Sequence, residues 1–281
     1  MPFKYTSLLH YVFLIIILSA TNYTVQLHAK EPIQNKKGKI AIIIDDLGHK
    51  KFNGIESILL DIPLTVAILP FTPHAKSLAE LAHKNEQDII LHLPMQPSFN
   101  NRLMTQNTLS IDMDKSMFKA TVSKALNDVP HISGLNNHMG SLFTQLPDQM
   151  GWLMESMSEH SSPLFFVDSF TSERSIAYEV ATQHHVPNTK RDIFLDRELD
   201  EEHMEKQITK MIEVANRKGQ VVVIGHPFDE TISLLKKHIP LLKAQGYEFI
   251  KVADLVKLPQ LNSSEKIENR SRTNEFKQTI H

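Results

Sequence analysis

Short apolar, β-branched runs recur along this chain, separated by stretches in which apolar residues return every three or four positions. The runs at 40–44, 64–69, 89–93, 132–135, 164–167, 221–224 and 248–252 predict seven β-strands. Helices are predicted between them at 72–86, with Pro73 in its first turn, at 114–127 behind the cap Asp114, and at 147–159 and 173–184. Two more follow at 200–217, closed by Gly219, and at 229–244, crossed by Pro240 and closed by Gly246. Strands that alternate with helices imply an α/β fold with a parallel sheet. Seven repeats in one stretch favour a barrel or near-barrel over a doubly wound open sheet.

The pattern fails at both ends. Lys4 precedes an apolar run from Leu8 to Ala20, and a polar stretch then leads to Leu27-His28-Ala29. That layout predicts a secretory signal over 1–29, hence an exported protein, periplasmic or secreted. The run is shorter than the roughly 20 residues that span a bilayer, which makes an uncleaved N-terminal anchor the alternative. Residues 30–38 read as a polar linker, 39–258 as one domain and 259–281 as a disordered polar tail.

With 281 residues, 41% of them apolar, the chain can fill a core. Its formal charge of -2, with basic residues scattered, gives no footprint for nucleic acid. The absence of cysteine excludes disulfides and thiolate metal sites, so a bound metal would need His and carboxylate ligands.

Chemistry concentrates where the predicted strands end. Ile42-Ile43-Ile44 runs straight into Asp45-Asp46, two adjacent carboxylates that need a cation if both are buried. A strand end followed by a helix cap is the other reading of that pair. His92 closes the third strand, His138 follows the fourth, Asp168 ends the fifth, and His226 follows the run 221–224. In parallel α/β folds the carboxyl ends of the strands share one face, so these residues should meet. Asp46, His92 and His138 would then hold a divalent metal, most simply zinc, with positions left open for catalysis. Asp45 would serve as base and His226 as acid, with Asp168 holding His226 in its tautomer. Trp152 is expected to be buried, whereas Phe71, Phe143, Phe170, Phe194 and Phe228 lie near strand ends and could ring the site or plug the barrel top. Other histidines, among them His49, His74, His83, His160, His184, His185, His203 and His238, read as surface residues.

Several runs resemble the divergent polysaccharide deacetylases, relatives of the NodB-type carbohydrate esterases. They are Ile44-Asp45-Asp46-Leu47-Gly48, Leu91-His92-Leu93-Pro94-Met95-Gln96-Pro97, Asn136-Asn137-His138-Met139-Gly140-Ser141, Phe166-Val167-Asp168-Ser169, Arg191-Asp192-Ile193-Phe194-Leu195-Asp196 and Ile224-Gly225-His226-Pro227. The resemblance implies an irregular (β/α)7-type barrel and metal-dependent removal of acetyl groups from N-acetylated sugars. It makes Asp45 the base, Asp46 a ligand and His226 the acid. The same runs nominate Asn137, Ser169, Arg191, Asp192 and Asp196 as residues that contact substrate or support the catalytic groups. The usual His-Ser/Thr-x-x-His and Arg-x-Pro-Tyr motifs of NodB-type enzymes are absent, which leaves His138 to supply the second imidazole and Arg191 the arginine.

Together these features suggest an exported metal-dependent amide hydrolase acting on an N-acetylated glycan or cell-wall fragment. The missing motifs keep a second reading open, a non-catalytic periplasmic module that binds glycan or a protein partner. Hydrolysis of a non-sugar amide or ester by the same site is a third.

Overall fold

The computed structural model describes residues 37–99 and 101–256. The segments read as signal peptide and polar tail lie outside the described residues, as does the linker up to residue 36. In chain order the elements are β1 (Lys39–Leu47), α1 (Lys51–Ile58), β2 (Thr65–Ile68), α2 (Ala75–Lys84), β3 (Asp88–Met95), α3 (Lys115–Asp128), β4 (Gly134–Met139), α4 (Pro147–Ser158) and β5 (Phe165–Asp168). There follow α5 (Ala177–Gln183), β6 (Asn188–Lys190), β7 (Ile193–Phe194), α6 (Glu201–Lys218), β8 (Gln220–Gly225), α7 (Asp229–Ala244), β9 (Glu248–Ile250) and α8 (Val252–Val256). No helix among the described residues is long and apolar enough to cross a membrane.

Local chemistry explains many of the boundaries. Asp114 and Asp200 each accept a hydrogen bond from a backbone N–H of the helix they open, and Pro147 starts α4. Gly219 closes α6 in the left-handed region at φ 78°. The pattern gives no helix at 51–58, because Asn53 and Gly54 are poor helix formers. Tertiary bonds hold α1 instead: the Asn53 amide donates to Pro227 O and to Asp229 Oδ1, and Gly54 lets α1 approach Leu78 of α2.

All ladders are parallel, in the order β6-β5-β4-β3-β2-β1-β8-β7, with β9 also paired to β1. The first and last strands of that path are consecutive pieces of one stretch. Between them, Arg191 N–H donates to Asp168 O of β5 and Asp192 N–H to Val222 O of β8. One extended segment thus serves both ends of the curled sheet. The ring it completes has seven members if β6 and β7 count as one, in keeping with a (β/α)7-type barrel. The membership differs from expectation. β9 pairs with the first residues of β1, Lys39 to Ala41, below β2 on the same edge, whereas the 188–194 stretch went unpredicted because Lys190, Arg191 and Asp192 break its apolar run.

The strands bury both faces, as parallel strands covered by helices do. Ile40, Ile42 and Ile44 of β1 pack outward in the large core shared with the helices. Ala41 and Ile43 pack inward with Ala67, Ile90, Phe165, Val167, Val222, Ile224 and Ile250, filling the barrel. Gly134 makes room for Phe165 there, since an added Cβ would lie 2.6 Å from Phe165 O. At the amino ends of the strands, the buried Asp88 carboxylate accepts from Thr65 Oγ1, Ser133 Oγ and Ala253 N–H, tying β2, β3 and the residue before β4 to α8.

Candidate active site at the carboxyl ends of the strands

The inward positions alternate, so the residue two places beyond each barrel-filling side chain faces the space above the inner core. On β1 that sequence is Ala41, Ile43, Asp45; on β3 it is Ile90, His92; on β8 it is Val222, Ile224, His226. On β4, Gly134 against Phe165 sets the phase for Asn136 and His138. Asp46 should be out of phase with Asp45. It is not, because the β1–β2 register slips between Ile44 and Leu47, where three steps on β1 match two on β2, and Asp46 sits in the left-handed region at φ 59°. This bulge re-aims one side chain so that two consecutive carboxylates share one site. A left-handed backbone is costly for a residue with a Cβ, and Asp is among those that tolerate it best.

Asp46, His92 and His138 form one cluster. His92 Nε2 lies 3.0 Å and His138 Nδ1 2.9 Å from Asp46 Oδ1, and the two ring nitrogens are 3.2 Å apart. Neither imidazole is aimed at Asp46 Oδ1 as a hydrogen bond, so among the described residues this buried oxygen has no hydrogen-bond partner. An orphaned carboxylate oxygen facing two imidazole nitrogens, with one candidate ligand atom from each of the three residues and all within 4.8 Å of one another, fits a divalent cation. Burial would raise the Asp46 carboxyl, but the imidazoles of His138 and His92 outweigh it and hold the group well below the ordinary range, ionised as a ligand must be.

Asp45 occupies a different environment. It is 3% exposed, accepts from the Asn136 amide at 2.9 Å and keeps Oδ2 3.7 Å from His92 Nε2. Burial pushes its carboxyl upward, with the neighbouring Asp46 charge adding to that and His92 and His226 opposing it. The adjacent carboxylates are therefore driven apart, which suits one to hold a cation and the other to take up a proton.

His226 follows β8, the strand paired with β1, and its Nε2 lies 3.9 Å from Asp46 Oδ2. Its partner is Asp196, not Asp168. Asp196 Oδ1 meets His226 Nδ1 at 2.9 Å, while Oδ2 accepts from His226 N–H and from Thr231 Oγ1. Burial works against the imidazolium, but Asp196, with Asp45 and Asp46 behind it, raises its pKa to about 9. The Asp168 expectation is corrected by phase: Asp168 follows the outward Phe166, and its carboxylate accepts from Phe170 N–H and Ser175 Oγ at the top of β5. Burial raises the Asp168 carboxyl, against the pull of those bonds. The inward residue is Ser169, whose Oγ accepts from Asn136.

The other nominated residues divide between support of the site and the sheet edge. Arg191 donates to the carbonyls of Ser169 and Phe170 at 2.7 Å and lies 5.0 Å over the Phe194 ring, pinning a turn in which Phe170 has φ 49°. Asn137 accepts from Ser169 N–H and donates to Met139 O, binding the ends of β4 and β5 together. Asp192 is not at the site: it pairs with Lys218 and accepts from Val222 N–H along the sheet edge. Asn136 was not singled out as a site residue, although its i, i+2 spacing from His138 was the signal that both share a face.

Of the phenylalanines, Phe194 and Phe228 flank His226, with ring centroids 5.5 and 5.7 Å away. Phe143 is buried in the outer core, where Phe71 also packs, and Phe170 lies under the Lys190 ammonium. Trp152 is partly buried, edge-on to Phe118. His49, His83, His184 and His185 are exposed, while His74, His160, His203 and His238 are half-buried and outside the cluster. A second grouping of Glu198, Asp200 and His203 is largely exposed, with Asp200 already serving as the cap of α6.

A family model described as divergent polysaccharide deacetylase matches residues 42–256. The chain belongs to that family. Among its relatives is the uncharacterized protein YibQ of Escherichia coli (strain K12), 32% identical over 81% of this chain and 70% of its own length. An uncharacterized protein of Haemophilus influenzae is 33% identical over 71% of this chain and 70% of its own. A crystal structure of an uncharacterized protein from Agrobacterium tumefaciens C58 matches in fold with a TM-score of 0.73, at 20% identity, over 78% of this chain and 89% of that one. The matched region contains every residue of the cluster, Asp45 and the His226–Asp196 pair.

The pair makes a testable difference. In the metal-free protein, His226 should titrate near 9, and Asp196→Asn should move that midpoint down toward the ordinary value of 6.5. Because the folded pKa is the raised one, the stability contributed by protonated His226 is full below about pH 6.5 and lost as pH rises through about 9. Imidazole NMR across that window checks both statements; a midpoint unmoved by Asp196→Asn would remove Asp196 from its role.

Proposed function

We propose that the protein is an exported, metal-dependent hydrolase that removes acetyl groups from an N-acetylated glycan. The observation that carries this reading is the placement of a carboxylate suited to accept a proton, Asp45, and an imidazole suited to donate one, His226, both beside one cluster of a carboxylate and two imidazoles. Family membership supports the substrate class, and the N-terminal pattern of a charged residue, apolar run and small residues supports export.

Asp46, His92 and His138 would hold the ion, and the donor set of one carboxylate and two imidazoles without cysteine favours zinc. When bound, such an ion supplies Lewis acidity and makes water more acidic. The remaining steps belong to the chain. Asp45, anchored by Asn136 through one oxygen, takes a proton as water attacks the acetamide carbonyl. His226 gives a proton to the departing sugar nitrogen, and Asp196 stabilises the imidazolium until it does so. The atoms balance: acetamide and water yield acetate and the protonated amine, the proton taken up by Asp45 leaving with the products and His226 regaining its own from solvent. Phe194 and Phe228 present apolar faces beside His226, where a sugar ring would lie.

Acetate release from a panel of N-acetylated oligosaccharides, with acetylated peptides alongside, tests the proposal in zinc-supplemented protein. Release from the sugars alone is the expected result. Release from the peptides alone would replace glycan with another amide, and no release from either would favour a binding module.

A further inference from the structure

Asn136 is fully buried, 0% exposed, at the centre of the site. Across the β3–β4 ladder it pairs directly with His92, so the two side chains stand next to each other on the inner face. Both ends of its amide are engaged: Oδ1 lies 2.7 Å from His92 Nδ1, and Nδ2 donates to Asp45 Oδ1 at 2.9 Å and to Ser169 Oγ at 3.1 Å.

We propose that Asn136 is a positioning residue that couples the metal ligand to the base, its carbonyl fixing the His92 tautomer and its amide N–H fixing the Asp45 carboxylate. The inference rests on the reading of Asp46, His92 and His138 as a metal centre and adds what orders it. An imidazole ligand must present a lone pair, and the hydrogen bond at its other nitrogen decides which nitrogen that is. Here Nδ1 faces a carbonyl oxygen, which can only accept. In the neutral ring the proton therefore belongs on Nδ1, which leaves the lone pair of Nε2, on the Asp46 side, for an ion.

The amide orientation follows from the second contact. An ionised Asp45 can only accept, so the NH2 end must be the one turned to it; the flipped amide would set a carbonyl against a carboxylate. Asparagine offers an acceptor and two donors from one short, planar group. An aspartate would keep the acceptor toward His92 but repel Asp45, and an alanine would leave both buried partners unsatisfied. The two halves of the role can therefore be separated.

Three proteins decide it: the wild type, Asn136→Asp and Asn136→Ala, each shown to be folded by its thermal transition. Burial works against the His92 imidazolium, but Asp45 and Asp46 raise its pKa, so nitrogen NMR of the metal-free proteins reads the His92 tautomer at a pH high enough to make the ring neutral, and titration with zinc alone reads affinity. In wild type the Nδ1–H form should dominate. Asn136→Ala should mix the tautomers and weaken zinc binding by about 10–100-fold, the usual effect of losing the group behind a ligating histidine. Asn136→Asp should keep the tautomer and the zinc affinity while any acetate release falls, because the bond donated to Asp45 is lost, whereas the Ser169 hydroxyl can turn to donate to the new carboxylate. If Asn136→Ala does not fold, Asn136→Asp still decides: loss of the Nδ1–H tautomer there would overturn the proposal, as would unchanged tautomer and affinity in Asn136→Ala. The tautomer and zinc readouts are independent of turnover, so failure of the deacetylase reading would show as absent acetate release with these two results intact.

Discussion

Replacing Asp45 by Asn should lower acetate release by about 10²–10⁴-fold, the usual worth of a positioned general base, while zinc remains bound at one ion per chain. The separation of the two effects follows from the geometry. Asp45 is held by Asn136 and is not among the three clustered ligand atoms, which come from Asp46, His92 and His138. An amide at this position is nearly isosteric with the carboxylate and can no longer take up a proton. Metal analysis and acetate assay on one preparation check the prediction. Loss of the metal with Asp45→Asn would mean that the roles of the adjacent aspartates are exchanged or shared. Retained turnover would remove Asp45 as base.

The complementary loss should come from the ligands. His92→Ala and His138→Ala each leave a buried or half-buried carboxylate facing one imidazole instead of two, and each should lose stoichiometric zinc along with turnover. The two differ in one respect. His92 is 2% exposed and sits between Asp45, Asp46 and Asn136, so its removal also leaves buried acceptors unpaired and should cost about 1–3 kcal/mol of stability. His138 is more open, its side chain 27% exposed, and its removal should be milder for the fold. Equilibrium dialysis against zinc, together with thermal unfolding of the metal-free variants, separates ligand from scaffold effects. Stoichiometric zinc in both variants would refute the ligand assignment.

How far the pattern of residues could be read varies with the kind of structure. Each of the seven predicted strands has its counterpart, because each is an apolar run bounded by turn residues. The 188–194 stretch escaped because a strand of three residues and another of two carry too little apolar pattern, although this segment connects the two ends of the sheet. Convergence of the strand ends was legible from chain direction alone. The inward direction of each side chain was legible too, but only where alternation was applied residue by residue. Applied to β5 it selects Ser169 and turns Asp168 outward, which is why the expected Asp168–His226 pair does not form. The run 191–196 nominates Asp196 as supporting the site, yet its partnership with His226 depends on a tertiary approach 30 residues apart in sequence. Asp46 is the opposite case: strict alternation would have turned it outward, and only the bulge and its left-handed backbone bring it to the ligand cluster.

The place of the proposed second imidazole follows from the same geometry. A histidine four residues after His92 would come from the same strand end; His138 comes from the neighbouring strand, whose Asn136 is registered against His92, and it reaches the same carboxylate oxygen. The cluster therefore assembles across a parallel ladder instead of within one local motif. Its precision then depends on that ladder, which accounts for the hydrogen bonds that lace Asn136, Asn137 and Ser169 across the ends of β3, β4 and β5.

The central claim is that this assembly performs metal-dependent hydrolysis of an N-acetylated sugar. The most direct measurement is acetate released from N-acetylated oligosaccharides by one preparation of the wild-type protein, assayed zinc-loaded and again after chelation. Release by the zinc-loaded protein that stops on chelation and returns with added zinc is the predicted result. A protein that holds one zinc ion per chain yet releases no acetate, or that releases it equally after chelation, would contradict the account.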